Sequence, residues 1–172
     1  EAALRAKGVS PKVYPRLNSA PAAGRRIVVA GANHTAARDI LRGANLSVPP
    51  SPEALCLVPG KLDGKAALLA GGSDARGLVY AVLELADRVK YGSGLDVETP
   101  AVEKPANVIR SCARCFVSPV EDKSWFYDRG LWVEYLSLLA AHRFNRFNLT
   151  FGIGYNSARD IAHTGVSMLL RR

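Results

Sequence analysis

Two of the three cysteines belong to a Cys112-Ala113-Arg114-Cys115 motif, which has the spacing of a redox or zinc-binding pair. A redox pair needs this motif at the start of a helix, where the thiolate is stabilised. Here the motif lies inside a predicted strand, and residues three apart on a strand face opposite sides of the sheet. No second cysteine pair exists to complete a zinc site. We therefore expect two ordinary strand cysteines.

The three histidines do not have the spacing of a metal site. His34, His142 and His163 are far apart in the sequence, and the H-E-x-x-H motif is absent. His142 falls at the predicted end of a helix, where a cation is mildly favourable. We expect all three to be structural or surface residues, and the sequence indicates no metal and no other cofactor.

A glycine-rich turn, Gly71-Gly72-Ser73-Asp74, comes directly before a predicted helix. Such a turn can bind an anion through the helix N-terminus, or its serine or aspartate can cap the helix. Neither a G-x-G-x-x-G nor a G-x-x-x-x-G-K-S/T phosphate loop is present. The sequence therefore favours the capped turn.

Three consecutive aromatic residues, Trp125, Phe126 and Tyr127, lie in a segment predicted to be a loop. Aromatic rings in such loops often stack on sugars, and they equally often anchor the loop on the protein. The residues alone leave both alternatives open, so Trp125 is a candidate carbohydrate contact.

Composition excludes several classes of protein. Of the 172 residues, 48% are apolar and 22% are charged, as in soluble globular domains. The net charge of +8 is spread along the chain without a basic run, so nucleic-acid binding is not expected. The apolar stretches are far shorter than the roughly 20 residues of a membrane helix, so no membrane contact is expected.

The first part of the chain predicts a small α/β domain. Residues 1–24 show no sustained period and are expected to be a partly disordered lead-in. Over residues 25–104, the apolar runs and the helical periodicity predict a mixed sheet with helices on one face. The predicted elements are strands at 26–31, 55–58 and 66–70, helices at about 35–42 and 74–90, and a short strand at 95–99. Turn residues at 59–64 predict an antiparallel hairpin between the second and third strands, and the apolar stripe of the longer helix comprises Leu78, Val79, Ala81, Val82, Leu85, Ala86 and Val89.

The spacing of apolar residues in the second part of the chain, residues 105–172, differs from that in the first part. A proline-containing connection at 99–107 joins the two parts. The second part predicts a strand at 108–117, a loop at 118–128, a helix at 130–142 and a strand at 147–151. A strand, helix and strand with a connection of this length form a βαβ unit, which has parallel strands and a right-handed crossover. A further helix is predicted at 157–170.

Two stretches resemble a known family. LCLVPGKLDGKAALLAGGSDARGLVYAVLELADRV resembles the hairpin and helix of the accessory domain of bacterial β-N-acetylhexosaminidases (glycoside hydrolase family twenty) and related α-glucuronidases. IRSCARCFVS, followed by RGLWVEYLSLLAAHRFNRFNLTFG, resembles the opening of the family's catalytic (β/α)8 barrel. Arg110-Ser111 is similar to the Arg-Gly or Arg-Ser pair that begins the first barrel strand. Phe144-Asn145 is similar to the Phe-Asn pair before the second.

The resemblance implies a zincin-like α/β accessory domain at 25–104 and the beginning of a TIM barrel at 105–172. It implies that Arg110 bonds sugar hydroxyls, which a planar guanidinium can do in pairs. The aspartate that usually follows five residues later is Cys115 here. Barrel sites form at the carboxyl ends of strands, so Tyr155 and Asn156 are candidate pocket residues. The family's catalytic Asp-Glu pair comes from the fourth barrel strand and is absent from this sequence, so no catalytic residue is expected.

The sequence thus predicts the non-catalytic N-terminal portion of a glycoside hydrolase that acts on glycosidic bonds, with N-acetylated amino sugars as the implied substrate class. The resemblance favours a periplasmic or secreted location. An incomplete barrel would leave the edge of its second strand unpaired, which predicts self-association. Two alternatives stay open: a small α/β binding or interaction module, and a nucleotide- or nucleic-acid-binding α/β domain, for which the charge and Val29-Ala30-Gly31-Ala32-Asn33 are the arguments.

Overall fold

A computed structural model describes residues 1–21, 24–92, 95, 97, 99–116, 119–151 and 165–169. The chain divides into two compact units, Glu1–Ala106 and Asn107–Arg172. Each unit combines helices with its own sheet, so the mixed α/β class predicted from the sequence is confirmed. Within the described residues, no helix is both long enough and apolar enough to cross a membrane.

The first unit contains a four-stranded mixed sheet. Its strands are β1 (Arg26–Gly31), β2 (Leu55–Leu62), β3 (Lys65–Gly72) and β4 (Ala101–Glu103). They lie in the order β1-β3-β2-β4, with β1 parallel to β3 and the other pairs antiparallel. The segment predicted as an inter-domain connection therefore includes the fourth strand of the sheet, and of the predicted strand at 95–99, residues 96 and 98 lie outside the described part of the chain.

Helices cover both faces of this sheet, so the prediction of helices on one face is wrong. Helix α2 (Thr35–Gly43) packs on the face that carries Cys56, Val58 and Leu69. Helix α3 (Ala75–Tyr91) packs on the opposite face, against Leu55, Leu57 and Leu68. The physical reason is the continuous burial of β2 and β3, because strands that are apolar on both faces need cover on both.

The two long helices follow their predicted patterns to different degrees. The four residues expected on the buried face of α2 are all buried, namely Ala36, Ala37, Ile40 and Leu41. In α3 the buried stripe instead runs through Gly77, Tyr80, Ala81, Leu85 and Val89, and the predicted members Val79 and Val82 are exposed. The lead-in contains α1 (Ala2–Ala6), whose Ala3 and Leu4 pack on the core below α3, and a short 3₁₀ helix (Leu17–Ser19).

The β2–β3 hairpin is longer and its turn is tighter than the sequence predicts. Pro59 and Gly60 lie within β2, and the turn consists of Asp63 and Gly64 alone, with φ angles of 52° and 76°. Positive φ at both positions is the requirement of a two-residue type I′ turn, for which Asp-Gly is a preferred pair. A glycine at position 60 leaves room for α2, because a Cβ there would lie 2.8 Å from Cγ2 of Ile40.

The second unit contains a three-stranded sheet in the order β5-β6-β7. Its strands are β5 (Ser111–Phe116), β6 (Arg146–Phe151) and β7 (Gly165–Leu169), and its helices are α4 (Pro119–Phe126) and α5 (Arg129–Ala141). Strands β5 and β6 are parallel, which confirms the predicted strand pairing of the βαβ unit.

Two predictions for this unit are wrong. The segment predicted as a loop contains α4, and residues 165–169 of the predicted last helix form β7, which pairs antiparallel with β6. The edge of β6 expected to be unpaired is therefore covered by β7.

We expect Cys56 to be chemically protected in the folded protein. Its side chain is fully buried on the α2 face, and burial raises the pKa of its thiol from 9.0 to about 11. Iodoacetamide at pH 8 should label the exposed Cys115 rapidly and Cys56 only after unfolding, as followed by mass spectrometry. Because the folded pKa is raised, the contribution of Cys56 to stability should fall as pH rises from 9 towards 11. Equal labelling rates in the native protein would contradict this expectation.

Candidate functional site

The glycine-rich turn before α3 is a capped turn, as the sequence favours. The Asp74 carboxylate accepts hydrogen bonds from the backbone N–H of Gly77, at 2.8 Å, and of Glu53, at 3.0 Å. The first of these is the N-cap bond of α3. Asp74 already places a carboxylate at this helix N-terminus, so a further anion would meet a like charge there.

The same turn is bound to the segment at 51–54 by further polar contacts. The Ser73 hydroxyl donates to the backbone oxygen of Ser51 at 2.7 Å and accepts from the backbone N–H of Ala54 at 3.1 Å. Arg76 forms an ion pair with Glu53 at 2.8 Å, and this hydrogen bond raises the pKa of the guanidinium. Glu53 is only 6% exposed, so the ion pair satisfies a buried carboxylate. These polar residues hold the start of α3 in place.

The glycines of this turn are required by close packing. A Cβ on Gly72 would overlap the backbone of Leu78, and a Cβ on Gly77 would overlap the backbone oxygen of Ala54. No side chain fits between the strand, the helix and the 51–54 segment at these two points. Close backbone approach is thus the reason for both glycines, and it needs no bound phosphate.

Arg110 lies immediately before β5, and its guanidinium contacts the protein's own backbone. Nε donates to the backbone oxygen of Arg143 at 2.6 Å, and Nη1 donates to that of Asn107 at 2.6 Å. Its backbone N–H donates to the side-chain oxygen of Asn145 at 2.9 Å. Asn145 and Arg146 donate their backbone N–H groups to the Arg110 oxygen. Arg110 and Asn145, one residue from each of the two pairs that carry the resemblance, thus hold the amino ends of β5 and β6 together.

Trp125 lies in an aromatic cluster that α4 and α5 form against one face of the second sheet. The Arg114 guanidinium is 3.9 Å from the centre of the Trp125 ring, which is a close cation–π contact. The indole N–H of Trp125 donates to Asp122 at 2.7 Å. That of Trp132 donates to the backbone oxygen of Phe126 at 2.7 Å. The cluster comprises Phe116, Trp125, Phe126, Tyr127, Trp132, Tyr135 and Phe147. Trp125 is partly buried there, and Tyr127 is 73% exposed at the end of α4.

The C-x-x-C cysteines face opposite sides of β5, as the strand geometry predicts. Cys112 lies on the half-buried face, with its sulfur 3.6 Å from the Tyr135 hydroxyl, whereas Cys115 is exposed. The contact with Cys112, followed by burial, raises the pKa of Tyr135. Both cysteines are free thiols. The alternation along β5 also places Arg114 beside Cys112 on the inner face, and this signal could have identified Arg114 from the sequence.

The remaining candidates divide into structural residues and residues outside the description. His34 caps α2 through Nδ1, which accepts from the backbone N–H of Ala36 at 3.3 Å, and Nδ1 of His142 lies 3.0 Å from the backbone oxygen of Leu138. Tyr155, Asn156 and His163 lie outside the described residues. Among the residues that the structure describes, no group of acidic, histidine and cysteine side chains could hold a metal ion.

The fold and these contacts define a mixed α/β protein of two units. No protein-family model matches the chain, and the search of curated proteins found no significant match. The activity of the protein must therefore be inferred from the geometry of its side chains.

Replacing Asp74 by alanine should destabilise the first unit. The change removes the N-cap of α3 and the partner of the Glu53 N–H, and losing a cap costs about 1–2 kcal/mol. Urea denaturation should show a lower midpoint for Asp74→Ala than for Asp87→Ala, which removes an exposed carboxylate from the outer face of the same helix. An equal effect of the two changes would contradict the capping role.

Replacing Arg110 by lysine should destabilise the second unit although the charge is kept. Lysine cannot donate to the two backbone oxygens with the geometry of a guanidinium, and each lost bond from a charged donor costs about 1.5–3 kcal/mol. The free energy of unfolding should fall for Arg110→Lys and stay within error for Arg129→Lys, which changes an exposed arginine of the same unit. Unchanged stability of Arg110→Lys would refute the structural role.

Proposed function

We propose that this chain is the non-catalytic N-terminal portion of a glycoside hydrolase, with a zincin-like accessory domain followed by the first strands of a (β/α)8 barrel. The observation that carries the proposal is the parallel pairing of β5 and β6 through a helical connection, the repeating unit of such barrels. Its support from sequence is the order of the motifs: the hairpin, the glycine turn and α3 precede Arg110-Ser111 at β5 and Phe144-Asn145 at β6.

Only β5 and β6 are proposed to be barrel strands. Strand β7 runs antiparallel to β6, whereas all strands of a (β/α)8 barrel are parallel. An antiparallel strand at this edge gives the backbone groups of β6 a partner within the chain. In the complete barrel that we propose, a third parallel strand would occupy the place of β7.

Two carboxylates of the second unit, Asp122 and Asp128, have structural partners, and this supports a non-catalytic role for this portion. Glycoside hydrolysis uses two carboxyl groups on either side of the scissile bond. Asp122 accepts the indole N–H of Trp125, and Asp128 caps α5 by accepting from the backbone N–H of Leu131 at 3.0 Å. These two carboxylates therefore support aromatic packing and a helix start. The proton donor of the reaction would belong to a later part of the parent enzyme.

In this proposal, residues at the end of α4 contact the sugar. One face of the Trp125 ring is covered by the Arg114 guanidinium, and the residue is partly buried, whereas Tyr127, two residues later, is 73% exposed. Aromatic side chains combine an apolar ring with a polar tip, which suits the mixed apolar and hydroxyl surface of a sugar. N-acetylated amino sugars are the class that the resemblance implies.

We expect weak, millimolar binding of N-acetylglucosamine at the end of α4. A titration followed by backbone amide NMR should shift resonances of residues 122–128. Tyr127→Ala and Trp125→Phe should weaken binding about tenfold, which corresponds to about 1.4 kcal/mol.

The matched control is Tyr91→Ala, which removes a tyrosine that is 76% exposed in the first unit and should leave the affinity unchanged. The proposal fails if no sugar shifts these resonances at its solubility limit. It also fails if the purified chain cleaves a chromogenic N-acetylglucosaminide and a point change within the chain abolishes that activity.

A further inference from the structure

A cleft of about 500 Å³ opens in the first unit, between α2 and the segment that follows it. This volume falls within the range of about 300–1,000 Å³ that is usual for small-molecule sites. Ala32 and Asn33, which follow β1, line one part of the cleft, and Arg38 and Arg42 of α2 line another. Ala32 and Asn33 belong to the Val29–Asn33 segment, which was one argument for nucleotide binding in the sequence.

The floor of the cleft is apolar and fixed to the core. Leu41 is buried, and the half-buried Leu46 and Val48 pack on the same core cluster as α2. The chain folds back after the helix at Asn45, which has a φ of 54°, and the backbone N–H of Leu46 bonds to the oxygen of Leu41 at 2.9 Å. A ligand would therefore meet a preformed surface.

The rim of the cleft is polar and positively charged. Arg38 and Arg42 are four residues apart, so their side chains lie on one face of α2. Both are exposed. Among the described residues, Arg42 has a solvent-exposed contact of 3.5 Å with Asp39, which is worth little. The other polar residues of the rim are Asn33, Asn45 and Ser47, and none of the described lining residues is acidic.

We propose that this cleft binds a small sugar that carries an oxyanion, either a carboxylate or a phosphate. The guanidinium groups of Arg38 and Arg42 hold the oxyanion, because planar guanidinium groups match the oxygen pairs of both groups. The amides of Asn33 and Asn45 and the Ser47 hydroxyl face the sugar hydroxyls, and the apolar face of the ring lies on the leucine floor. A neutral sugar lacks the group that the arginines recognise.

Isothermal titration at low salt tests the proposal with three probes of similar size: glucuronic acid, glucose 6-phosphate and glucose. At least one of the two anions should bind, with an affinity about tenfold or more above that of glucose, since a hydrogen bond between two charged groups is stronger than one between neutral groups. The anion that binds more tightly identifies carboxylate or phosphate as the natural group. Raising the salt concentration should weaken binding because the arginines are exposed.

Arg38→Gln and Arg42→Gln should each lower the affinity, and neither should affect folding because both side chains are exposed. The matched control is Arg16→Gln, which removes an exposed arginine that does not line the cleft. The proposal is overturned if neither anion binds, if glucose binds equally well, or if Arg38→Gln and Arg16→Gln have the same effect. Amide resonances of Asn45 and Ser47 report this site, whereas those of 122–128 report the end of α4. Failure at one site is therefore distinguishable from failure at the other.

Discussion

Close backbone contact between the start of α3 and the 51–54 segment is the constraint on which the first unit depends. Gly72 and Gly77 leave no space for a side chain there, and Asp74 bridges the helix and the segment through two backbone N–H groups. With the helix start fixed in this way, the buried stripe of α3 meets the leucines of β2 and β3. Polar groups set the position, and apolar burial supplies most of the stabilisation.

In the second unit, too, polar side chains position the backbone while aromatic residues supply the buried apolar contacts. Arg110 and Asn145 satisfy backbone groups at the amino ends of two parallel strands, and Arg114 covers an aromatic ring that would otherwise be more exposed to water. Each of these polar residues therefore already contributes to the structure. A side chain that holds the backbone in this way is poorly suited to move with a substrate, so ligand contacts are expected at more exposed residues, such as Tyr127.

Local chemistry made part of this fold predictable. The spacing of Ala36, Ala37, Ile40 and Leu41 identifies the buried face of α2 because all four contact the same sheet face.

Tertiary contacts explain the elements that could not be predicted from the sequence. Gly60 suggests a turn but pairs within β2, and α4 lacks a clear apolar period because its packing depends on aromatic contacts with distant residues. The unbroken apolar run Leu55–Val58 indicates a strand that needs helices on both of its faces, because a strand exposed on one face would alternate apolar and polar residues.

For the site, Trp125 could be chosen by residue type, whereas the cleft beside α2 depends on how the chain folds back at Asn45.

The strand order β1-β3-β2-β4 has a consequence for the assembly of the first sheet. Its two central strands are neighbours in sequence and close through a two-residue turn, so their pairing costs little chain entropy. Both outer strands come from distant parts of the chain, and β1 must also wait for a parallel partner that the hairpin provides. We therefore expect the low-contact-order hairpin to form first and the two edge strands to dock onto it more slowly.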